Sequence, residues 1–243
     1  MSNTQPAVLD PGSTQAAFAA LIGLVPREPR HLDFLVDAET TVASLSRALL
    51  AEQISGSGCS PQQATELGER VLRLLDRLYF VVEQTAGRHH LINSLGLSTG
   101  LWIARRQGEI RELGPVVNGL AGCANTLRDR KALETLYEAS LEIMNAADDF
   151  LRADLDRLDR NRPWRLLCLN QCIIATRTGN AEIAGAAYER LIAFLPEDAC
   201  EFFSLAVQKV AGKDYPAQCR RLVHAYFGRF SVADPAGQRA AVH

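Results

Sequence analysis

The feature that most constrains the fold is the regular spacing of helix-breaking residues in the second half of the chain. Between the breaks, apolar residues recur at the intervals of one helix face, and no stretch alternates as a half-buried strand does. The breaks fall at Gly108, Arg128–Arg130, Asn145, Asn161–Pro163, Gly179, Pro196 and Gly212. Gly179 and Gly212 are 33 residues apart, and Gly108 precedes Gly179 by 71 residues. Paired short helices repeat at this period, so the pattern predicts stacked helical hairpins.

The first half of the chain is also predicted to be helical. The stretch Thr41–Ser55 carries apolar residues on one side and ends at the breaker "SGSG". The next helix starts at Ser60 as its N-cap, and Gln63 completes a capping box with that serine. This helix runs to about Gln84, and another is expected up to Arg106.

Composition and charge exclude some classes of partner. In a chain of 243 residues, 47% are hydrophobic and 22% are charged, which is ordinary for a globular protein. The net charge is −2 and the pI is near 6.2, so no basic field attracts a phosphate backbone and nucleic acid is not expected as a partner. No segment approaches the ~18–20 apolar residues of a membrane helix, so no membrane partner is expected either.

Cysteine usage and the N-terminus indicate a cytoplasmic protein. The six cysteines are dispersed through apolar helical patterns, which favours reduced core thiols over a disulfide framework. The apolar stretch Ala16–Pro26 is short and has no preceding Lys or Arg, and Asp10 lies where an export signal would carry positive charge.

One segment resembles a known helical repeat. Gly179, Ala184, Tyr188 and Pro196 resemble the second half of a tetratricopeptide repeat, with its turn glycine, small residue, aromatic and terminating proline. The resemblance implies that Ala184 lets two helices approach closely and that Tyr188 fills the gap to the next hairpin. It covers roughly residues 88–230 and is specific in this one repeat.

These patterns together predict an all-α protein. We expect antiparallel helical hairpins stacked as a short tetratricopeptide-like α-solenoid over residues 88–230, with an N-terminal helical cap or bundle over residues 13–87. Residues 1–12 and 231–243 mix polar residues with Pro and Gly, and we interpret both as disordered tails.

Several groups of potential ligands fall short of a metal or catalytic site. Cys168 and Cys172 share a helix face, but no His or Asp completes a ligand set, so core thiols are expected. His89 and His90 would point about 100° apart on a helix, which indicates a helix-start or surface pair. Asp149–Arg162 has alternating acids but lacks the calcium-loop glycine, and we interpret it as a solvated helix. The sequence therefore predicts no catalytic residue, no metal and no cofactor.

The remaining candidates belong to a binding surface. If the hairpins form a groove, Trp102, Arg106, Asn170 and Arg177 would face it, and Asn and basic side chains suit peptide carboxylates. The predicted function is a non-enzymatic protein–protein interaction module: an adaptor, assembly factor or regulatory subunit that binds a partner protein or peptide segment. The alternative is a helical protein that binds a small apolar or metal ligand in its core. A third option is that the apolar face is a homodimer interface.

Overall fold

The computed structural model describes residues 9–56, 58–82, 89–212 and 215–231, and helices dominate these ranges. The all-α prediction is confirmed: the described residues contain no strand, and an isolated bridge pairs Ile110 with Ala147. A short 3₁₀ turn spans Pro29–His31. The eleven α-helices of the described ranges are α1 (Pro11–Ile22), α2 (Leu32–Ser55), α3 (Pro61–Val82), α4 (His89–Arg105), α5 (Gly114–Thr126), α6 (Arg130–Ala146), α7 (Asp149–Arg152), α8 (Pro163–Thr178), α9 (Ala181–Phe194), α10 (Pro196–Val210) and α11 (Ala217–Ser231).

The capping residues explain where several helices begin. The backbone N–H of Gln63 donates to Ser60 Oγ at 3.3 Å, and the Ser60 N–H donates to Gln63 Oε1 at 3.0 Å. This reciprocal pair is the capping box that the sequence predicts at the start of α3. At the start of α9, the Asn180 side chain accepts hydrogen bonds from the N–H groups of Glu182 and Ile183. The preceding Gly179 has a φ of +71°, a left-handed conformation that favours glycine.

The chain divides into two compact units. Unit 1 consists of Met1–Leu127 and Glu138–Leu167, and unit 2 consists of Arg128–Tyr137 and Cys168–His243. The sequence-predicted boundary between residues 87 and 88 lies outside the described residues, as do residues 1–8 and 232–243 of the predicted tails. The first described helix, α1, begins at Pro11 with Asp10 as its N-cap.

Unit 1 is held together by a core of fully buried aliphatic side chains and by very close contact between α4 and α5. A Cβ atom built at Gly96 of α4 would overlap the carbonyl oxygen of Pro115 in α5, and one at Gly100 would lie 2.7 Å from Val116 Cγ1. Glycine therefore permits the backbones of these two helices to approach. The core includes Phe18, Leu21, Leu45, Leu72, Leu75, Leu78, Ile103, Val116, Leu120, Ile143 and Leu167.

Unit 2 is built around an aromatic cluster centred on Tyr188 of α9. The Tyr188 ring packs edge-on against Phe203 of α10 and Tyr226 of α11, with ring centroids 5.1 and 5.2 Å apart. Tyr188 thus packs against the following helices, as the resemblance of this segment to a tetratricopeptide repeat implies. On the other side, Ala184 is fully buried and the Cys172 thiol of α8 donates to the Ala187 carbonyl oxygen at 3.3 Å. Small residues let α8 and α9 pack closely.

The interpretation of Asp149–Arg162 as one solvated helix is wrong. Only Asp149–Arg152 is helical, and the chain then runs as turns to the start of α8. A buried ion pair between Arg162 Nε and Asp154 Oδ1, 2.6 Å long, holds these turns, and Asp154 has a φ of +48°. Helical periodicity missed this loop because the pairing of Asp154 with Arg162 depends on tertiary burial and not on local spacing.

Candidate functional site

The four residues that the sequence nominates for partner binding fall in different units. Trp102 and Arg106 belong to α4 or its end in unit 1, and Asn170 and Arg177 belong to α8 in unit 2. Trp102 is buried, and the guanidinium of Arg106 lies over its indole ring at 4.9 Å from the centroid. Arg106 also forms an ion pair with Glu52 of α2, and its Nη1 donates to the Trp102 carbonyl oxygen. These contacts hold Trp102 and Arg106 in place inside unit 1, where both also line a surface cleft. Their role in partner binding stays a prediction.

Arg177 lines an apolar groove in unit 2, which we name the α8–α10 groove. The groove has a volume of about 330 Å³ and lies between one face of α8, one face of α10 and Tyr215. Asn170 is half-buried on α8, outside this set of lining residues. The groove is lined by Ile173, Thr176, Arg177, Phe202, Leu205, Ala206, Lys209, Val210 and Tyr215.

Helical spacing explains why these residues share a surface. On α8, Ile173, Thr176 and Arg177 are separated by three and four residues, so they lie along one face. On α10, the same spacing aligns Phe202, Leu205, Ala206, Lys209 and Val210. An apolar face of this kind is ordinarily covered by another element of the fold.

Two of the apolar lining side chains are left exposed. Ile173 is 44% exposed and Leu205 is 53% exposed, although both belong to the apolar faces of their helices. The floor of the groove offers little polar surface. Val210 is fully buried, and the Thr176 hydroxyl is hydrogen-bonded to the Cys172 carbonyl oxygen at 2.7 Å and to the Tyr188 hydroxyl at 2.6 Å. Burial also raises the pKa of Tyr188, which keeps this phenol protonated.

The two charged residues that line the groove are both basic. Arg177 lies in the last turn of α8 and Lys209 in the last turn of α10, and none of the nine lining residues carries a carboxylate. The groove therefore combines an apolar floor with two cationic side chains. This chemistry suits a ligand that has apolar side chains and neighbouring carboxylates.

The sequence nominated Arg177 but not Leu205 or Lys209 of α10. A signal for them exists in α10, where Phe202 and Phe203 are consecutive and Leu205 and Ala206 are consecutive. Consecutive apolar residues point to different sides of a helix, so one apolar face of α10 packs inward while a second faces outward. Which of the two faces is covered depends on the tertiary structure.

The cysteines and histidines form no metal centre in the described part of the chain. All six cysteines are free thiols, and Cys168 and Cys172 are buried. Burial raises the pKa of Cys172 well above its usual value, which favours the neutral thiol over the thiolate that a metal requires. The His89 ring stacks on Tyr79 at a centroid distance of 5.2 Å. Among the described residues, no group of three or more His, Cys, Asp or Glu side chains could hold a metal ion.

The helices of the described ranges are too short or too polar to cross a lipid bilayer. Comparison of the chain with models of protein families, with curated proteins and with solved structures finds no match. The chain is therefore assigned to no family, and the resemblance of Gly179–Pro196 to a tetratricopeptide repeat stays a prediction from sequence.

Proposed function

We propose that this chain is a non-enzymatic protein–protein interaction module and that the α8–α10 groove of unit 2 is its binding site. The main support for the proposal is that the apolar side chains of Ile173 and Leu205, which line the α8–α10 groove, are exposed. An apolar surface that the fold leaves open is typical of a site that another molecule covers. The module would act as an adaptor, assembly factor or regulatory subunit in the cytoplasm.

The chemistry of the groove indicates which kind of segment it binds. Arg177 and Lys209 favour carboxylates, and the floor favours aliphatic or aromatic side chains. An amphipathic peptide segment with acidic residues beside its apolar face satisfies both requirements. The partner is therefore a protein that presents such a segment.

We further propose that the helices stack as tetratricopeptide-like hairpins in this region. The α8–α9 pair supports this arrangement: the two helices are joined by Gly179 and Asn180, and the Cys172 thiol donates to the Ala187 carbonyl oxygen at their contact. In stacked hairpins each repeat leaves one helical face available, and such faces commonly bind peptides.

Site-specific photo-crosslinking tests the proposal. Leu205 is replaced by p-benzoylphenylalanine, and the same replacement at Ile54, an 83% exposed apolar position of α2 in unit 1, provides the matched control. In extract of the native cells, we expect one discrete adduct from position 205 that is absent from position 54. Mass spectrometry should map it to an acidic amphipathic segment, and a synthetic copy of that segment should compete for the groove.

The charge requirement has its own control. Lys209→Glu should lower the affinity of the competing peptide for the groove about 5- to 30-fold, equivalent to ~1–2 kcal/mol for a partly exposed charge pair. Equal adducts from positions 205 and 54, or an adduct unaffected by Lys209→Glu and by the peptide, would contradict the proposal.

A second candidate function is the binding of a small apolar molecule in the same groove. The apolar floor and the volume of about 330 Å³ favour it, since ligand pockets of small molecules begin near this size. Native mass spectrometry separates the two functions: a stoichiometric small molecule that Leu205→Glu abolishes supports this candidate, whereas an empty protein supports the first.

A further inference from the structure

The outer face of α2 carries large apolar side chains at both of its ends. Leu32 and Val36 are 53% and 64% exposed, and Leu50 and Ile54 are 45% and 83% exposed. Single exposed apolar residues are ordinary on a protein surface, but four on one helix are not. This face of α2 is therefore a candidate contact surface of unit 1, separate from the α8–α10 groove of unit 2.

Helical spacing places these four side chains along one line. Successive residues of an α-helix are rotated by about 100°, so the four fall within about 40° of one another around α2. Glu39, Ala43 and Arg47 lie in the same sector, about 80° wide, and are exposed as well. We name these seven residues the α2 stripe. The residues of α2 that face the core on the opposite side are Ala38, Thr41, Val42, Leu45 and Leu49.

The α2 stripe is arranged symmetrically about its centre. It runs through Leu32, Val36, Glu39, Ala43, Arg47, Leu50 and Ile54. On either side of Ala43, a charged residue lies 4 positions away and apolar residues lie 7 and 11 positions away. A second α2 laid antiparallel on the first, with a two-fold axis at Ala43, therefore brings apolar side chains onto apolar side chains and Glu39 onto Arg47. A two-fold symmetric interface requires this self-complementarity.

Neither charge of the α2 stripe has an oppositely charged partner among the described residues. Glu39 and Arg47 are eight residues apart, about 12 Å along the helix, which is too far for them to pair with each other. Arg47 contacts its own helix, where it donates to the Ala43 carbonyl oxygen at 3.4 Å and to Ser44 Oγ at 3.3 Å. Arg27 borders the same cleft as Glu39 but forms no ion pair with it. A second copy can therefore supply the missing partner of each charge.

We propose that two copies of the chain associate by antiparallel pairing of their α2 helices about a two-fold axis at Ala43. The apolar end of each stripe packs against the opposite apolar end of the other, and Glu39 and Arg47 form two symmetry-related ion pairs. The small Ala43 side chain lets the helices approach closely at the axis. The inference does not rest on the proposed function, because the α8–α10 groove takes no part in the pairing.

Sedimentation velocity of the purified full-length chain, from about 1 µM to about 1 mM, tests the association. The paired helices are about 33 Å long, and a contact of this size indicates a reversible monomer–dimer equilibrium. We expect the weight-average sedimentation coefficient of the wild type to rise with concentration and to stop at the dimer value. A wild type that stays monomeric throughout would overturn the inference.

Charge reversal tests the pairing of Glu39 with Arg47. Glu39→Arg and Arg47→Glu each place like charges opposite each other at two sites, so each should weaken association by about 10-fold or more. The double variant Glu39→Arg/Arg47→Glu restores opposite charges and should associate like the wild type. Both positions are exposed, so the circular dichroism spectrum should not change. Glu138→Arg, at an exposed position of α6, is the matched control and should leave association unchanged.

Mixing the two single variants gives the sharpest outcome. A copy with Glu39→Arg and a copy with Arg47→Glu are complementary at both ion pairs, so an equimolar mixture should form a 1:1 complex under conditions in which each variant alone stays monomeric. Single variants that associate like the wild type, a double variant that fails to recover, or equal loss in Glu138→Arg would refute the pairing.

The apolar part of the stripe has its own matched control. Val36→Ser/Leu50→Ser removes the apolar contact on both sides of the axis and should abolish association. Leu155→Ser/Leu158→Ser removes two leucines that are 73% and 95% exposed on the loop between α7 and α8, and it should associate like the wild type. Equal association of these two double variants would contradict a role for the α2 stripe.

Cysteine crosslinking establishes the direction of the helices. Cys59, Cys123 and Cys200, the three thiols that are not buried, are first replaced by serine. In this background, Leu32→Cys mixed with Ile54→Cys should give a disulfide-linked dimer under mild oxidation. Leu32→Cys alone should not, because antiparallel pairing places the two copies of position 32 about 33 Å apart along the helices. A dimer linked through two copies of position 32 would indicate parallel helices and refute the proposal.

The proposed function and this inference can fail separately. In the photo-crosslinking experiment, position 54 should react with a second copy of this chain and not with the protein that position 205 captures. A monomeric wild type whose position 205 still captures another protein refutes the α2 pairing and leaves the binding module in place. Dimers that require the α2 stripe, without any adduct from position 205, support the inference and refute the proposed function.

Discussion

Replacing Gly185 by alanine should stabilise the chain and replacing Gly96 should not, because a Cβ atom has room at Gly185 but not at the helix contact of Gly96. Gly185 lies inside α9, and a Cβ atom there would meet its nearest neighbour, Leu222 Cδ2, at 4.0 Å. Gly96 lies inside α4, and a Cβ atom there would overlap the Pro115 carbonyl oxygen and lie 2.8 Å from its carbon. A carbonyl group within α5 has little freedom to move aside.

The magnitudes follow from two terms. Alanine is favoured over glycine inside a helix by about 1 kcal/mol, and both variants gain this term. Gly96→Ala is also destabilised by overpacking, typically by about 1–3 kcal/mol. Gly185→Ala should therefore stabilise the chain by about 0.5–1 kcal/mol, whereas Gly96→Ala should be neutral or destabilising by up to ~2 kcal/mol. The difference between the variants isolates the packing term because the propensity gain is common to both.

Thermal unfolding followed by circular dichroism at the helix band measures this difference. In a chain of this size, about 1–3 kcal/mol corresponds to a separation of roughly 2–12 °C between the two melting temperatures. If the units melt separately, Gly96→Ala should lower the transition of unit 1 and Gly185→Ala should raise that of unit 2. Equal stabilisation by both substitutions would refute the close approach of α4 and α5 at Gly96.

Two further predictions concern the titration of Tyr226 and the reactivity of the cysteines. Burial, together with the hydrogen bond to Glu189, raises the pKa of Tyr226 from 10.0 to about 12. The folded state keeps this proton after the unfolded state has lost it, so the stabilisation is complete below pH 10 and is lost as the pH rises towards about 12. In denaturant titrations across this window the midpoint should fall less steeply for Tyr226→Phe than for the wild type, and identical slopes would contradict the assignment. A thiol reagent should modify the exposed Cys200 first and the buried Cys172 only after unfolding. Peptide mapping of the labelled protein measures this order. Rapid labelling of Cys172 in the native protein would contradict its burial.

Much of the helical framework could be predicted from local spacing. The capping box at Ser60 and Gln63, the turn at Gly179 and the start of α10 at Pro196 all lie where the sequence indicates. These features depend on contacts within a few residues, such as a side chain bonded to a nearby N–H or a glycine with a positive φ. The contact of Tyr188 with the following helices was implied by the resemblance of Gly179–Pro196 to a tetratricopeptide repeat.

The loop between α7 and α8 could not be predicted in this way. Its acid and base spacing fits exposed i, i+4 helix pairs, and these are worth only a few tenths of a kcal/mol. The alternative places Asp154 and Arg162 together in the interior, where removing one partner of such a pair costs about 3–5 kcal/mol. That larger energy decides the conformation, and it arises only when other parts of unit 1 bury the pair.

The sequence by itself therefore determined the helical class and most helix ends, because these follow from short-range hydrogen bonding and apolar periodicity. The candidate site was decided by the tertiary structure. Ile173 and Leu205 look like core residues in sequence, and Leu155 and Leu158 look like the apolar face of a solvated helix. Only the packing of the helices leaves these four side chains at the surface, because burial depends on which faces find a partner.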